Sequence, residues 1–319
     1  KSPKFMVPHS PHVSPESRVV LLVPIYNPGS GWRDFLSALQ QQTRQPDQVV
    51  VLDSESTDGS AQAAQALGYT VQTVQRSQFN HGGTRQAGID QHATGADLAI
   101  FLTQDAILAR TDALQQLLSA FDEPKVAATY GRQLPHANAT PIAAHARIFN
   151  YPAQSHTVTL QDKAAKGLKT CFFSNSFAAY RLSALQQAGG FAADLILGED
   201  MHLAARLLLA GHAIRYQASA HVYHSHNYTL REELARYFDT GVLHARQTWL
   251  MDTFGSAGSE GLKFMTSEIR YLWQNAPHLL PQAFVRSFVK LAGFKLGRSS
   301  LALPLAINQQ LSMHKGYWA

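Results

Sequence analysis

Two aliphatic runs constrain this chain more than any other feature: Arg18-Val-Val-Leu-Leu-Val-Pro-Ile-Tyr-Asn27 and Val49-Val-Val-Leu-Asp-Ser-Glu-Ser-Thr-Asp-Gly59. Continuous Val, Ile and Leu suit a strand buried on both faces, as in a parallel sheet under helices. Between the runs, Trp32 to Gln42 carries Phe35, Leu36 and Leu39 at helical spacing, so the piece reads β-α-β. Ligands of such units bind beyond the carboxyl ends of the strands. Asn27 and Asp53 fall at those two ends. A carboxylate accepts bonds from N–H and O–H donors, which a nucleotide base and ribose supply.

These residues carry a resemblance. Val23-Pro-Ile-Tyr-Asn27 followed by Asp53-Ser-Glu-Ser-Thr-Asp-Gly-Ser60 resembles the opening of the family 2 nucleotide-sugar glycosyltransferases of the GT-A fold. Phe79-Asn-His-Gly-Gly-Thr-Arg85 is similar, more narrowly, to the bacterial rhamnosyltransferases of that family. The likeness continues through Leu102-Thr-Gln-Asp-Ala106, Gly198-Glu-Asp200 and His224-Ser-His-Asn-Tyr228 to the tail, Ser312-Met-His-Lys-Gly-Tyr-Trp318. No single motif decides it; their order does. The resemblance implies an α/β GT-A (nucleotide-diphospho-sugar transferase) fold with a mostly parallel central sheet and a helical C-terminal extension. Its donor site is expected around Pro24, Tyr26, Asn27, Asp53, Ser54, Asn80, His81, Arg85, Gln104 and Asp105.

Bulk properties agree with an enzyme body. Charged residues are 15% and hydrophobics 45% of 319 residues, so the chain is globular and can bury a sizeable core. The single cysteine, Cys171, excludes an intramolecular disulfide and fits a reducing cytoplasm. Beside Phe172 and Phe173 it reads as a small buried hydrophobe. No apolar run approaches the roughly 18–20 residues that span a bilayer. The chain opens Lys-Ser-Pro without a methionine, which leaves an upstream segment open. The net charge is +5, and the seven cations against two carboxylates from Glu260 onward account for all of it. A nucleic-acid binder is expected to show a wider basic face. A basic tail suits an anionic membrane surface or a pyrophosphate-linked, lipid-borne glycan acceptor, which places the protein in the cytoplasm, peripheral to the inner face of the membrane.

Along the chain, residues 1–17 read as an extended arm, 18–254 as the catalytic domain and 255–319 as a basic amphipathic extension. Phe79 to Arg85 reads as a donor-rich loop leading into a helix near Thr84; its glycines and Arg85 form a diphosphate cradle, or else a tight turn with a solvated Arg. Asp97 to Leu102 is a buried strand with Thr103-Gln104-Asp105 at its end. The wider family has Asp-x-Asp there, holding a divalent cation, Mg2+ or Mn2+, on the pyrophosphate. Thr103 replaces the first Asp, so a hydroxyl, water or remote ligand must assist Asp105. Val126 to Tyr130 is a short strand, followed by an irregular run with Arg132, His136, His145 and Arg147 that gives no choice among them. Lys169 to Tyr180 reads as a strand, either core or lining the site, with Ser174 and Asn175 facing a sugar hydroxyl.

Glu199 and Asp200 precede a helix. Its dipole alone explains carboxylates there, while the resemblance makes the second acid, Asp200, the general base of an inverting transfer, with Glu199 near the acceptor or sugar. Ala213 to Tyr223 is a strand leading into His221, His224 and His226. A closed zinc site lacks further ligands at the right spacing; His224, ahead of His226, is expected to complete the cation shell. Leu230 to Leu250 reads as one long helix, and 262–319 as one or two helices with Phe284, Phe288, Leu291 and Phe294 on one face. That face suits a membrane surface, docking on the body or a homodimer contact. The function expected is L-rhamnose transfer from dTDP-L-rhamnose to a bacterial surface polysaccharide. A UDP-hexose donor or a catalytically silent binding module are the alternatives. The absence of a Gly-x-Gly-x-x-Gly after the first strand argues against a Rossmann dehydrogenase.

Overall fold

The computed structural model describes residues 17–255 and 260–318; the expected arm over 1–17, Ser17 apart, lies outside the described residues. The strands are β1 (Val19–Ile25), β2 (Gln48–Asp53), β3 (Thr70–Thr73), β4 (Leu98–Leu102), β5 (Ile107–Leu108), β6 (Val126–Leu134), β7 (His156–Val158), β8 (Phe177–Arg181) and β9 (Ala213–Tyr223). The helices are α1 (Gly31–Gln40), α2 (Ser60–Ala66), α3 (His81–His92), α4 (Ala113–Leu118), α5 (Pro141–Asn150), α6 (Lys163–Lys166), α7 (Leu182–Gln187), α8 (Glu199–Leu209), α9 (Leu230–Arg246), α10 (Thr248–Phe254), α11 (Glu260–Asn275), α12 (Leu280–Arg298) and α13 (Leu305–Leu311). All nine strands form one mixed sheet, ordered β3-β2-β1-β4-β8-β6-β9-β5, with β7 also on β9.

The aliphatic runs form the sheet's centre because each has two faces to bury. Val20, Leu22, Val50, Leu52, Ala99 and Phe101 enter one core layer. Val19, Leu21, Val23, Val49, Val51, Leu98 and Ile100 enter the other. This is the period-2 alternation of a strand, apolar on both sides. Pro24 is tolerated in β1 because it lies beyond the last β1–β4 pair, Leu22 with Phe101, where a missing N–H breaks no ladder bond.

Several segments depart from expectation. The helix expected near Thr84 starts a turn earlier, at His81, because the Asn80 side chain accepts the Gly83 N–H and caps it there. Gly82 and Gly83 are therefore helical, and Gly82 lets α3 pass the Ala192 carbonyl closely. Residues Lys169 to Cys171 belong to a 3-10 turn, and the strand begins only at Phe177. The aromatics that suggested a longer strand are core wedges: Phe172 and Phe173 pack on Tyr130. β6 runs on to Leu134, and the stretch that looked irregular contains α5, capped by Thr140 with Pro141 at its first position. The long helix breaks at Gln247 into α9 and α10, and three helices follow Glu260. α12 crosses α9 almost backbone to backbone, since a Cβ at Gly241, Gly293 or Gly297 would strike the facing main chain. Among the described residues no helix is long and apolar enough to cross a membrane.

Candidate active site

One edge of the sheet collects the polar ends of the strands. β1, β2 and β4 are parallel and finish there, and β8 begins there because it is antiparallel to β4. β6 is antiparallel to β8 and β9 parallel to β6, so β9 also ends at this edge. Gln104 clasps the ends of β1 and β4: its Oε1 accepts from Tyr26 N at 2.7 Å and its Nε2 donates to the Tyr26 carbonyl at 3.2 Å. Asn27 adopts a left-handed φ of 42°, and its Oδ1 accepts from Thr57 N at 2.8 Å. Asp53 accepts from Ser56 N at 3.1 Å. Asn27 and Asp53 thus shape the loop after β2 as well as facing the edge. Ser54 is buried beside them, and its hydroxyl has no partner among the described residues. At about 4.8 Å per strand, Asp53 lies roughly 10 Å along the edge from the end of β4. The exposed Tyr26 ring carries the Arg76 guanidinium 4.4 Å above it, a residue that sequence reasoning passed over.

Asp105 meets both late histidines. His224 Nε2 lies 3.3 Å and His226 Nε2 3.6 Å from Asp105 Oδ2. Ligand atoms of all three fall within 4.8 Å of one another, so the group can hold a metal ion. The two histidines stand where the replacement of an Asp by Thr103 led a remote ligand to be expected. His221 lies apart, inside β9 opposite Arg132. The His224 side chain is 8% exposed and that of Asp105 42%, so the trio is anchored on one side and open on the other. His224 Nδ1 faces Gln133 Oε1 at 2.8 Å; if a metal displaced the Nε2 proton that bonds Asp105, donation to Gln133 would leave Nε2 the lone pair the metal needs. Burial works against ionisation of Asp105, but the hydrogen bond and charge of His224, with His226, hold its carboxyl far below the usual range. Burial and the neighbouring His224 push His226 down to about 4, leaving it neutral.

A buried relay connects this trio to the second acid centre. Gln133 Nε2 donates to Ser174 Oγ at 2.9 Å, and Arg147 Nη1 donates to Gln133 Oε1 at 2.5 Å. The next residue, Asn175, donates its backbone N–H to Asp200 Oδ2 at 3.1 Å and its amide to Glu199 Oε1 at 3.1 Å, and accepts from Tyr180 OH at 2.7 Å. The expected sugar contact of Ser174 and Asn175 thus falls on residues that also bond Gln133 and the two acids. The Asn175 amide donates once and accepts once within the protein, and the pair positions Gln133 and the two acids.

Glu199 and Asp200 open α8. Glu199 is buried and pairs with Arg85 at 3.1 Å, and Arg85 also donates to the His81 carbonyl at 2.9 Å. Arg85 is 3% exposed, so it is not the solvated Arg of a tight turn and lies as a floor under His81. Burial opposes ionisation of Glu199, yet Arg85 beside it keeps its carboxyl below the ordinary value. Asp200 goes the other way: burial, reinforced by the Glu199 charge, raises it to about 7. Adjacent acids pushed apart in this manner are the mark of a divided acid–base assignment. Gln133 had no signal in the sequence, since it acts across strands, and Tyr180 acts on Asn175 in the turn before its own strand. Arg147 was visible only as one of several equivalent cations.

The fold is shared with solved structures. A mannosyltransferase of Pyrobaculum calidifontis in complex with GDP-Man and Mn2+ superposes with a TM-score of 0.56 at 18% identity, over 99% of this chain and 88% of that one. Staphylococcus aureus TarS 1-349 in complex with UDP-GlcNAc gives 0.51 at 14% identity, over 89% and 92%. These likenesses define the fold as GT-A. Residues 20–189 match the model of glycosyl transferase family 2. The O-antigen chain rhamnosyltransferase RfbN of Salmonella typhimurium is 47% identical over 302 residues, 94% of this chain and 96% of the relative. WbaN of Salmonella anatum, an O-antigen chain rhamnosyltransferase, is 47% identical over 299 residues, 93% and 95%. The chain belongs to glycosyl transferase family 2 and is a glycosyltransferase.

Proposed function

We propose that the protein moves L-rhamnose from dTDP-L-rhamnose to a hydroxyl of an O-antigen-type surface glycan with inversion at the anomeric carbon. The relay from Asp105 through His224, Gln133 and Ser174 to Asp200 carries the mechanism, because it holds a metal-binding carboxylate and a proton-accepting one at one edge. The names of the two Salmonella relatives support the sugar and the acceptor. The base lies toward Asp53, Ser54 and the Tyr26–Arg76 stack. Asp105, His224 and His226 would hold a divalent cation, which when bound offsets the charge of the diphosphate. Their mixed nitrogen and oxygen set favours Mn2+ over the harder Mg2+. Asp200 accepts the acceptor hydroxyl's proton as that oxygen forms the new bond and the nucleoside diphosphate leaves. Arg85 and Glu199 keep Asp200 poised and its neighbourhood dry.

Beside His226 a pocket is lined by Arg147, Tyr228, Arg286 and Lys290 with Glu233. On the other side of α12, Phe284, Phe288 and Leu291 are exposed. Cations facing the site and aromatics facing out support an acceptor carried on a lipid diphosphate, with the protein peripheral on the inner face of the cell membrane. Purified protein, Mn2+ and a panel of dTDP- and UDP-sugars with a lipid-diphosphate saccharide test the reading. Nucleotide release is expected with dTDP-L-rhamnose and a β- or α-linkage inverted from the donor. Faster release from a UDP-hexose, or retention of configuration, overturns it.

A further inference from the structure

The last residues of the chain return to the site, and nothing in the mechanism so far uses them. After α13, residues Ser312–Trp318 run back across α9 and are fastened at two points. Asp239 of α9 is wholly buried, and its Oδ2 accepts the N–H groups of Met313 at 2.9 Å and His314 at 3.1 Å. Trp318 is buried against Phe238, Val242, Leu195 and Ile196, and its carbonyl accepts from Gln309 Nε2 at 3.2 Å. A buried carboxylate that holds two consecutive backbone N–H groups fixes a strap's path, not merely its contact. The close crossing of α12 on α9 at Gly297 delivers α13 and the strap to this place.

Between the two fastenings, the His314 ring stands edge-on to the His81 ring, with centroids 4.9 Å apart at 88°. His81 is the first residue of α3, and its own carbonyl holds Arg85. Both imidazoles are partly exposed, and their ring nitrogens have no hydrogen-bond partner among the described residues. Burial comes first among the causes that lower both rings, and His314 is brought to about 4. Neutral imidazoles each offer one donor and one acceptor, which matches a sugar hydroxyl; a diphosphate offers acceptors only.

Resting on the donor-transfer reading above, we infer that the strap Ser312–Trp318 closes the sugar subsite and that His314, paired with His81, hydrogen-bonds the hydroxyls of the transferred sugar. His314 is thus a specificity-determining residue and His81 serves the sugar rather than the diphosphate. Asp239 is a positioning residue that acts through the strap.

The test compares binding of the nucleotide sugar with binding of the bare nucleoside diphosphate, by calorimetry on the full chain with Mn2+. It uses whichever donor of the panel the wild type binds, so a wrong choice of sugar and a wrong strap assignment give different results. H314A is expected to lose about tenfold in nucleotide-sugar affinity while dTDP or UDP binds within twofold of wild type. H314N, which keeps a donor and an acceptor, is expected to recover part of the loss. D239N should repeat the selective loss in weaker form, with melting curves reporting its stability separately. Equal weakening of nucleotide and nucleotide sugar in H314A, or no change in either, overturns the inference. So does a wild type that binds the nucleotide sugar no more tightly than the nucleotide.

Discussion

Asp105 and Asp200 stand at the two ends of one relay, hydrogen bonds on either side of the Ser174–Asn175 peptide link, and burial opposes the charge of both. Asp105 faces imidazoles, which favour its charge and hold it ionised. Asp200 faces the ionised Glu199, which disfavours its charge and holds it near neutral pH. Burial alone would have raised both. The partners separate the two: one carboxylate is held as an anion, which suits a cation, and the other titrates near neutral pH, which suits the proton acceptor proposed above. The division has a stability cost on the Asp200 side. Its folded-state value lies above the unfolded one, so its contribution to stability is present below about pH 4 and is lost as pH rises through about 7.

The largest expected effect comes from removing the exchanging member. D200N is expected to lower transfer by about 10²–10⁴-fold, the range of a general base, with dTDP affinity unchanged by calorimetry. Near-normal turnover would erase the distinction between the two acids. On the other side, Q133A frees the His224 ring to take the wrong tautomer. The apparent Mn2+ affinity, read from rate against Mn2+ concentration, is expected to fall about 10–100-fold. An unchanged Mn2+ curve would mean that the relay does not orient the ligand.

The contrast also predicts a pH profile. In the wild type, kcat/KM is expected to fall about tenfold per pH unit below about 7 as Asp200 takes up its proton. E199Q removes the charge that raises Asp200, so the acid limb should move down by about one unit. The same change leaves Arg85 buried without its carboxylate, at a cost of about 3 kcal/mol read by melting. An acid limb that stays in place while stability drops would assign the shift to burial alone.

These two centres differ as sharply in how far the sequence reveals them. β1, β2 and β4 were legible because a strand buried on both faces must be apolar at every position, and Asp53 and Asp105 follow such runs directly. The strand Ala213–Tyr223 was legible but differs: it alternates, with Ile214, Tyr216, Ala218, Ala220 and Val222 buried and polar residues between most of them. The relay was not, because Gln133, Ser174 and Asn175 act only when β6 and the turn before β8 are brought side by side by the sheet. No spacing within either segment encodes that contact. The reading of Lys169 to Tyr180 as a strand held from Phe177 and failed before it, because aromatic density marks burial and a turn can be as buried as a strand. The tail motif was visible as residues, but its path depends on Asp239, far back in the chain.

The smallest expected effect lies away from both acids, at the Tyr26–Arg76 stack. Arg76 is exposed, and its backbone N–H is tied to Glu55 Oε2 at 3.0 Å, so the guanidinium is held over the ring from a fixed anchor. Exposed cation–π contacts contribute about 0.5–1 kcal/mol. If the stack forms one wall of the base site, R76A should weaken dTDP binding by about two- to fivefold. The same factor should appear for the nucleotide sugar, because the base is common to both ligands. The pH profile and the Mn2+ curve should not move, since neither Asp105 nor Asp200 touches this wall. A loss confined to the nucleotide sugar would place Arg76 at the sugar end, and would reverse the direction in which the donor lies along the sheet edge.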